Sequence, residues 1–241
     1  DLLAKGAYVA LARGAGRVSD GVGLLGWLDA RAARSRRAHW ARSLFAIHDA
    51  AAMAALDVPW WTYDAVAAVD AYLAERPAAR VFEWGAGAST VWLARRAGHV
   101  TSVEHASDWL ARVRALLEAD GLAGRVDLRA VPPDQPTDPD PAYLSAKPGA
   151  EGRSFAAYAR AIDAARGPFD LIVVDGRARA ACLGHALPHL ASDGMIVFDN
   201  SHRARYAAAL RAAGPGLDLL RLRGLAPALP YPDGTTLLRA R

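Results

Sequence analysis

From residue 62 onward, short apolar runs alternate with longer segments of helical composition. The runs 80–84, 100–104, 125–130, 169–175 and 195–199 have the length and apolar content of buried strands. Segments 89–97, 107–119, 154–166 and 177–190 read as the helices between them. Another helix starts at Thr62 or Asp64, either of which can cap it, runs through Leu73 and is stopped by Pro77. Such alternation predicts a parallel sheet with right-handed crossovers. Beyond Asp199 the pattern gives a helix over about 201–213 and strands at 217–222 and 235–239. The loop 224–234 joins these two strands without a helix, so they should pair antiparallel. The expected fold is α/β: a Rossmann-like seven-stranded sheet, parallel except for an antiparallel C-terminal hairpin.

Residues 1–60 follow a different pattern, rich in Ala, Arg and Gly, and read as helices broken near Gly14-Ala15-Gly16 and Gly21-Val22-Gly23. The expected organisation is an N-terminal helical extension, 1–60, followed by a domain over 61–241. Arg31, Arg34, Arg36, Arg37 and Arg42 suit a solvated helix face; a membrane surface, an acidic partner or a homodimer contact are the alternatives. The segment 131–153 is polar and holds Pro132, Pro133, Pro136, Pro139, Pro141 and Pro148. It is too long for a routine connection, so it is either a lid or a flexible loop.

Composition adds boundaries. With 241 residues, 53% hydrophobic and 22% charged, the chain has room for one sizeable domain and its appendage. Its single cysteine, Cys182, excludes both an intrachain disulfide and a cysteine zinc cluster, which fits a reducing cytoplasm. No run of about eighteen apolar residues occurs, so no spanning helix is expected. The chain starts Asp1-Leu2-Leu3-Ala4-Lys5, with neither Met nor a clear signal-peptide pattern; its natural start can lie further upstream.

The candidate chemistry begins where the first strand turns into a helix. Gly85 and Gly87 sit there, and glycine lets a ligand approach the backbone. Glu83 precedes them at the C-terminal end of the strand, where ligands bind in open α/β sheets. Glu104 ends the second strand, nineteen residues after Gly85, where a carboxylate can accept from both ribose hydroxyls of an adenosine. The third glycine of a dinucleotide fingerprint is replaced by Thr90. S-adenosylmethionine carries no pyrophosphate to demand that glycine, so the constellation favours an adenosyl cofactor over NAD.

Val81-Phe82-Glu83-Trp84-Gly85-Ala86-Gly87-Ala88-Ser89-Thr90 resembles motif I of class I S-adenosylmethionine-dependent methyltransferases. Ser102-Val103-Glu104-His105 resembles motif II, and Phe169-Asp170-Leu171-Ile172-Val173-Val174-Asp175-Gly176 resembles motif IV. The resemblance runs from about Trp60 to the C-terminus. It implies Glu83 near the amino-acid moiety of the cofactor, Gly85 and Gly87 beneath it, and Glu104 on its ribose. His105 would lie beside the adenosine, or else face solvent. Ser89 and Thr90 could bond the cofactor carboxylate, cap the helix, or do both. Adenine contacts should come from the loop after Ala130. Trp60, Trp61 and Tyr63 stand where this fold roofs its cleft, and either cover the methionine portion or an aromatic acceptor, or pack in the core.

In the same fold Asp175 faces the transferring methyl. Asp175 with Asp199 and Asn200 resembles the magnesium site of catechol-type and sugar O-methyltransferases, and three oxygen ligands plus waters suit that ion. Alternatively Asp199, Asn200 or Ser201 only caps a helix. The lysine that follows the first metal aspartate in the catechol enzymes is missing; Gly176-Arg177-Ala178-Arg179 stands instead. Without metal, His202 is the candidate general base, or simply an exposed histidine. Arg177 and Arg179 could clamp a carboxylate or phosphate on the acceptor, or pair with a nearby Asp. His185 and His189, one helical turn apart, read as a helix surface pair, and Cys182 as packed. The run 175–182 with 199–203 also looks like an uncharacterised bacterial methyltransferase group.

The leading expectation is methylation of a small molecule at a hydroxyl, with S-adenosylmethionine and optionally Mg2+. The alternatives are N-methylation of an amine, protein or RNA, and a cofactor-binding partner protein without catalysis. RNA would call for a basic stripe with interleaved aromatics, and the basic residues before residue 60 have few. A spermidine-synthase-type enzyme would need paired acidic residues after the fourth strand, where this chain has arginines.

Overall fold

The computed structural model describes residues 23–47, 49–135, 140–145 and 149–240. The expected helix breaks at Gly14-Ala15-Gly16 and Gly21-Val22 lie outside them. Seven strands form one sheet: β1 Arg80–Trp84, β2 His99–Glu104, β3 Val126–Ala130, β4 Phe169–Val174, β5 Leu190–Asp199, β6 Leu217–Gly224 and β7 Asp233–Ala240. Their order is β3-β2-β1-β4-β5-β7-β6. The first five run parallel, and β7 lies antiparallel between β5 and β6. The strand order reverses between β1 and β4, and in open α/β sheets ligands bind outside the C-terminal ends of the strands at such a switch point.

Both faces of the sheet are covered, which is why its central strands are apolar almost throughout. One face, with Val81, Leu171, Val173 and Val197, packs against α4 (Tyr63–Ala74), α5 (Ala88–Ala94) and α6 (Ser107–Ala119). The other, with Phe82, Trp84, Ile172 and Phe198, packs against α7 (Ala156–Ala159), α8 (Arg179–Ala186) and α9 (Ala207–Ala213). Ahead of them come α1 (Leu24–Ala32), α2 (Arg36–Ser43) and α3 (Ala50–Ala55). A third apolar cluster, with Ala46, Ile47, Met53, Val58, Tyr63, Ala88 and Ala228, seats this extension on the domain. The indole of Trp40 also donates to the Leu229 carbonyl, 2.9 Å away. No described helix is long and apolar enough to cross a membrane.

Several boundaries differ from the sequence pattern. The helix expected over 154–166 is only α7 followed by a 3-10 turn, Arg160–Ile162. Its apolar spacing is nonetheless helical, because Phe155, Tyr158, Ala159 and Ile162 are all buried. The helix expected over 177–190 begins two residues later and tightens into a 3-10 turn at Leu187–His189, where Pro188 lacks the N–H that an α-helix would use. The described parts of 131–153 turn back on themselves: Asp134 and Leu144 both bridge to Ser154.

Candidate cofactor crevice and reaction centre

Gly85 is the pivot of the turn after β1. Its φ of +99° is one that L side chains rarely adopt, and a Cβ there would stand 2.9 Å from the Asp175 backbone after β4. The turn is held from outside by the Trp109 indole, which donates to the Ala86 carbonyl at 2.6 Å. The Trp60 ring lies against Gly87.

Glu83 does not point into the crevice. It is fully buried, and its carboxyl accepts from Ser89, Thr90 and Ser102, each at 2.5 Å. Burial pushes its pKa from 4.5 up to about 7 against the pull of those three hydroxyls. Glu83, Ser89 and Thr90, expected around the amino-acid moiety of the cofactor, are bonded to one another. In this structure the three side chains satisfy one another and brace the turn, because Glu83 projects to the α5 side of the sheet, where those hydroxyls wait. Thr90 Oγ1 also accepts from the Gly87 N–H at 2.9 Å.

Glu104 is presented differently. Its Oε1 accepts the backbone N–H groups of His105 and Ala106 at 2.8 and 2.9 Å, while Oε2 receives no hydrogen bond from the described residues. His105 Nδ1 is 2.5 Å from the same Oε1, and its Nε2 faces Arg177 Nε at 3.2 Å. The imidazole stands edge-on to Phe155 and Tyr158. The Tyr158 hydroxyl is buried without a hydrogen-bond partner among the described residues, and a Cβ on Gly176 would collide with it. A fixed carboxylate with a free oxygen and an orphaned buried hydroxyl beside it fit a polar ligand such as an adenosine ribose. Arg177 is thus drawn to His105, and burial lowers its pKa.

At the ends of β4 and β5 the dominant group is Arg179, only 9% exposed. It donates to the Asp175 carboxylate at 2.6 Å, to the Asp175 and Gly176 carbonyls at 3.0 and 3.1 Å, and to the Asp199 carbonyl at 2.5 Å. Its guanidinium is 3.7 Å from the Asp199 carboxylate. Burial raises the pKa of both aspartates, and Arg179 opposes the shift in each. Asp199 Oδ1 accepts from Thr235, and the Asn200 amide donates to Asp233 at 2.9 Å. The buried Trp61 indole N–H lies close to Asp175 but outside hydrogen-bond geometry.

The expected magnesium ligands Asp175 and Asp199 thus share Arg179, and the Asn200 amide bonds Asp233. The Arg179 guanidinium lies against both carboxylates, and no described trio of His, Cys, Asp or Glu could hold a metal. Magnesium needs oxygen ligands at about 2.0–2.1 Å with several waters, which a guanidinium in that position obstructs.

His202 sits on the far wall of the same edge. Its Nδ1 is 3.0 Å from Asp233 Oδ1, and the imidazole is 41% exposed. Gly234 allows this approach, since a Cβ there would lie 3.1 Å from that of His202.

Tyr63, expected at the roof of the cleft, is engaged by the N-terminal helices. Its hydroxyl is 2.7 Å from His39 Nδ1, while His39 Nε2 is 3.0 Å from the Leu56 carbonyl. Nε2 must carry the proton to donate to a carbonyl, so Nδ1 accepts from Tyr63. The phenol thus faces the N-terminal helices, and Tyr63 shares an apolar cluster with Ala88. Elsewhere, His185 and His189 share Asp163 at 3.1 and 3.0 Å, and Cys182 is buried.

Sequence reasoning missed Asp233, Tyr158 and the particular place of Arg179. Asp233 falls at the end of what reads as a loop, and only the hairpin register brings it to Asn200 and His202. Tyr158 carried a weak signal, being the one aromatic besides Phe155 on a short amphipathic segment.

A reversing, mainly parallel sheet with a glycine turn at the switch point and a carboxylate after β2 defines a Rossmann-like nucleoside-cofactor enzyme. Residues 82–201 match the family model of a methyltransferase domain. The chain belongs to the class I S-adenosylmethionine-dependent methyltransferases. No curated protein matches it by sequence. Among solved structures, the cofactor-bound Rv0187 from MTB is 24% identical over 81% of this chain and 89% of that one, with a TM-score of 0.57. The O-methyltransferase from Bacillus cereus in complex with SAH is 19% identical, over 78% and 87%, with a TM-score of 0.56. TomG, an O-methyltransferase from Streptomyces achromogenes involved in tomaymycin synthesis and solved with SAM, is 19% identical over 80% and 89%, with a TM-score of 0.52. These likenesses share the fold.

Proposed function

We propose that this chain transfers a methyl group from S-adenosylmethionine to a hydroxyl of a small molecule, with His202 as general base. The observation that carries the reading is the contact between His202 Nδ1 and Asp233 Oδ1, 3.0 Å apart. It orients the ring and leaves Nε2 to take a proton. The bound cofactor supplies an electrophilic methyl on a sulfonium. His202 Nε2 would take the proton that the acceptor hydroxyl must lose.

The chain's own part is mostly positioning. Glu104, fixed by two backbone N–H groups, offers its free oxygen to the ribose. The Gly85–Gly87 turn lets backbone approach the methionine moiety, and the Glu83 cluster keeps that turn rigid. His105 and Phe155 line the adenosine side. That resolved neighbours include O-methyltransferases supports the choice of oxygen as acceptor.

The test is formation of S-adenosylhomocysteine with a panel of phenols, catechols and sugars, for the wild type and His202→Ala. Turnover with a hydroxyl compound that falls in the variant supports the reading. Turnover confined to amines, or unchanged in His202→Ala, contradicts it.

A further inference from the structure

The sequence pattern that suggests a magnesium ion and the structure that fills its place disagree, and the filling group is itself informative. Arg179 is nearly buried and makes four hydrogen bonds to the ends of β4 and β5, three of them to backbone carbonyls. Its position is set by an unusual backbone: Ala178, the residue before it, has φ +44° and ψ +40°. A left-handed alanine is strained and persists only where its surroundings impose it. Here it sends Arg177 toward His105 and Arg179 toward Asp175. Arginine keeps its charge at any relevant pH, and its planar fork can serve a carboxylate and three carbonyls at once. A divalent ion at the same point would meet a fixed positive charge at close range.

We propose that Arg179 is the resident cation of this reaction centre. It takes the position that the Asp175, Asp199 and Asn200 pattern reserves for a divalent ion, and it fixes the Asp175 carboxylate and the ends of β4 and β5 in its stead. Arg179 is a positioning residue: it acts through Asp175 and the two strand ends. The chain consequently works without divalent metal. The inference concerns cation occupancy and does not depend on which acceptor is methylated.

Manganese binding to the full chain, read by electron paramagnetic resonance, tests it directly. The wild type should bind no Mn2+, and its melting temperature should be the same in EDTA and in millimolar Mg2+. Arg179→Met removes the charge and keeps the bulk; it should gain one Mn2+, lose it again when Asp199→Asn is added, and melt higher with Mn2+ present. Arg179→Lys, which keeps the charge but not the fork, should melt lower than the wild type and still bind no Mn2+. Stoichiometric Mn2+ binding by the wild type that disappears in Asp199→Asn would overturn the proposal. So would a folded Arg179→Met protein that binds no Mn2+. S-adenosylhomocysteine binding, measured on the same samples, reports separately on the methyltransferase reading.

Discussion

His202 and Asp233 meet across the antiparallel seam of β5 and β7, imidazole Nδ1 to carboxylate Oδ1, at 3.0 Å. Neither neighbours the other in sequence; the pairing of Asp199 with Thr235 brings them together. Asp233 also accepts from the Asn200 side chain and the Gly234 N–H, so the carboxylate that orients the histidine is itself fixed. If His202 removes the acceptor proton, His202→Ala should lower kcat by about 100-fold to 10,000-fold. The affinity for S-adenosylhomocysteine should stay unchanged. Asp233→Asn should lower kcat on the order of tenfold or more. Steady-state kinetics with calorimetry on each variant separates the two effects.

Gly85→Ala should damage both stability and cofactor binding. The new Cβ meets Asp175 backbone at 2.9 Å in a conformation that disfavours any side chain. A strained residue of this kind costs on the order of 1–3 kcal/mol. Thermal denaturation should show the lower melting temperature, and calorimetry the weaker binding of S-adenosylhomocysteine.

Glu83 gives the fold a pH dependence. Its carboxyl keeps its proton up to about 7 when folded, against 4.5 ordinarily, because burial disfavours the charge. Between those values the folded chain binds more protons than the unfolded one, so stability falls as pH rises through the window and levels off above it. The contribution is on the order of 3 kcal/mol. Melting temperatures of the wild type should therefore drop more between pH 5 and about 8 than those of Glu83→Gln. Parallel curves for the two proteins would contradict the assignment.

The strands were legible because a strand buried on both faces must be apolar along its whole length, as in Leu171-Ile172-Val173-Val174. The antiparallel end was legible from a loop too short for a crossover helix. The glycine turn and Glu104 were legible because local chemistry and position on a strand end suffice to define them. Side-chain direction was not. Arg177 and Arg179 look equivalent in sequence, yet the left-handed Ala178 between them gives one to His105 and the other to Asp175. Glu83 looks like a ligand group, but Ser102 on the adjacent strand and two hydroxyls of α5 claim it. Asp233 depended on the register of a hairpin, which the sequence leaves open.

We propose that this edge of the sheet binds an adenosyl cofactor through Glu104, whose Oε1 is locked by two backbone N–H groups while Oε2 receives none from the described residues. Calorimetric titration of the wild type and of Glu104→Ala with S-adenosylhomocysteine tests it most directly. Tight one-to-one binding by the wild type, weakened about tenfold to 100-fold in Glu104→Ala, is the expected result for losing hydrogen bonds to a charged group. A wild type that binds neither S-adenosylhomocysteine nor S-adenosylmethionine, or a Glu104→Ala protein that binds as tightly as the wild type, would contradict the account.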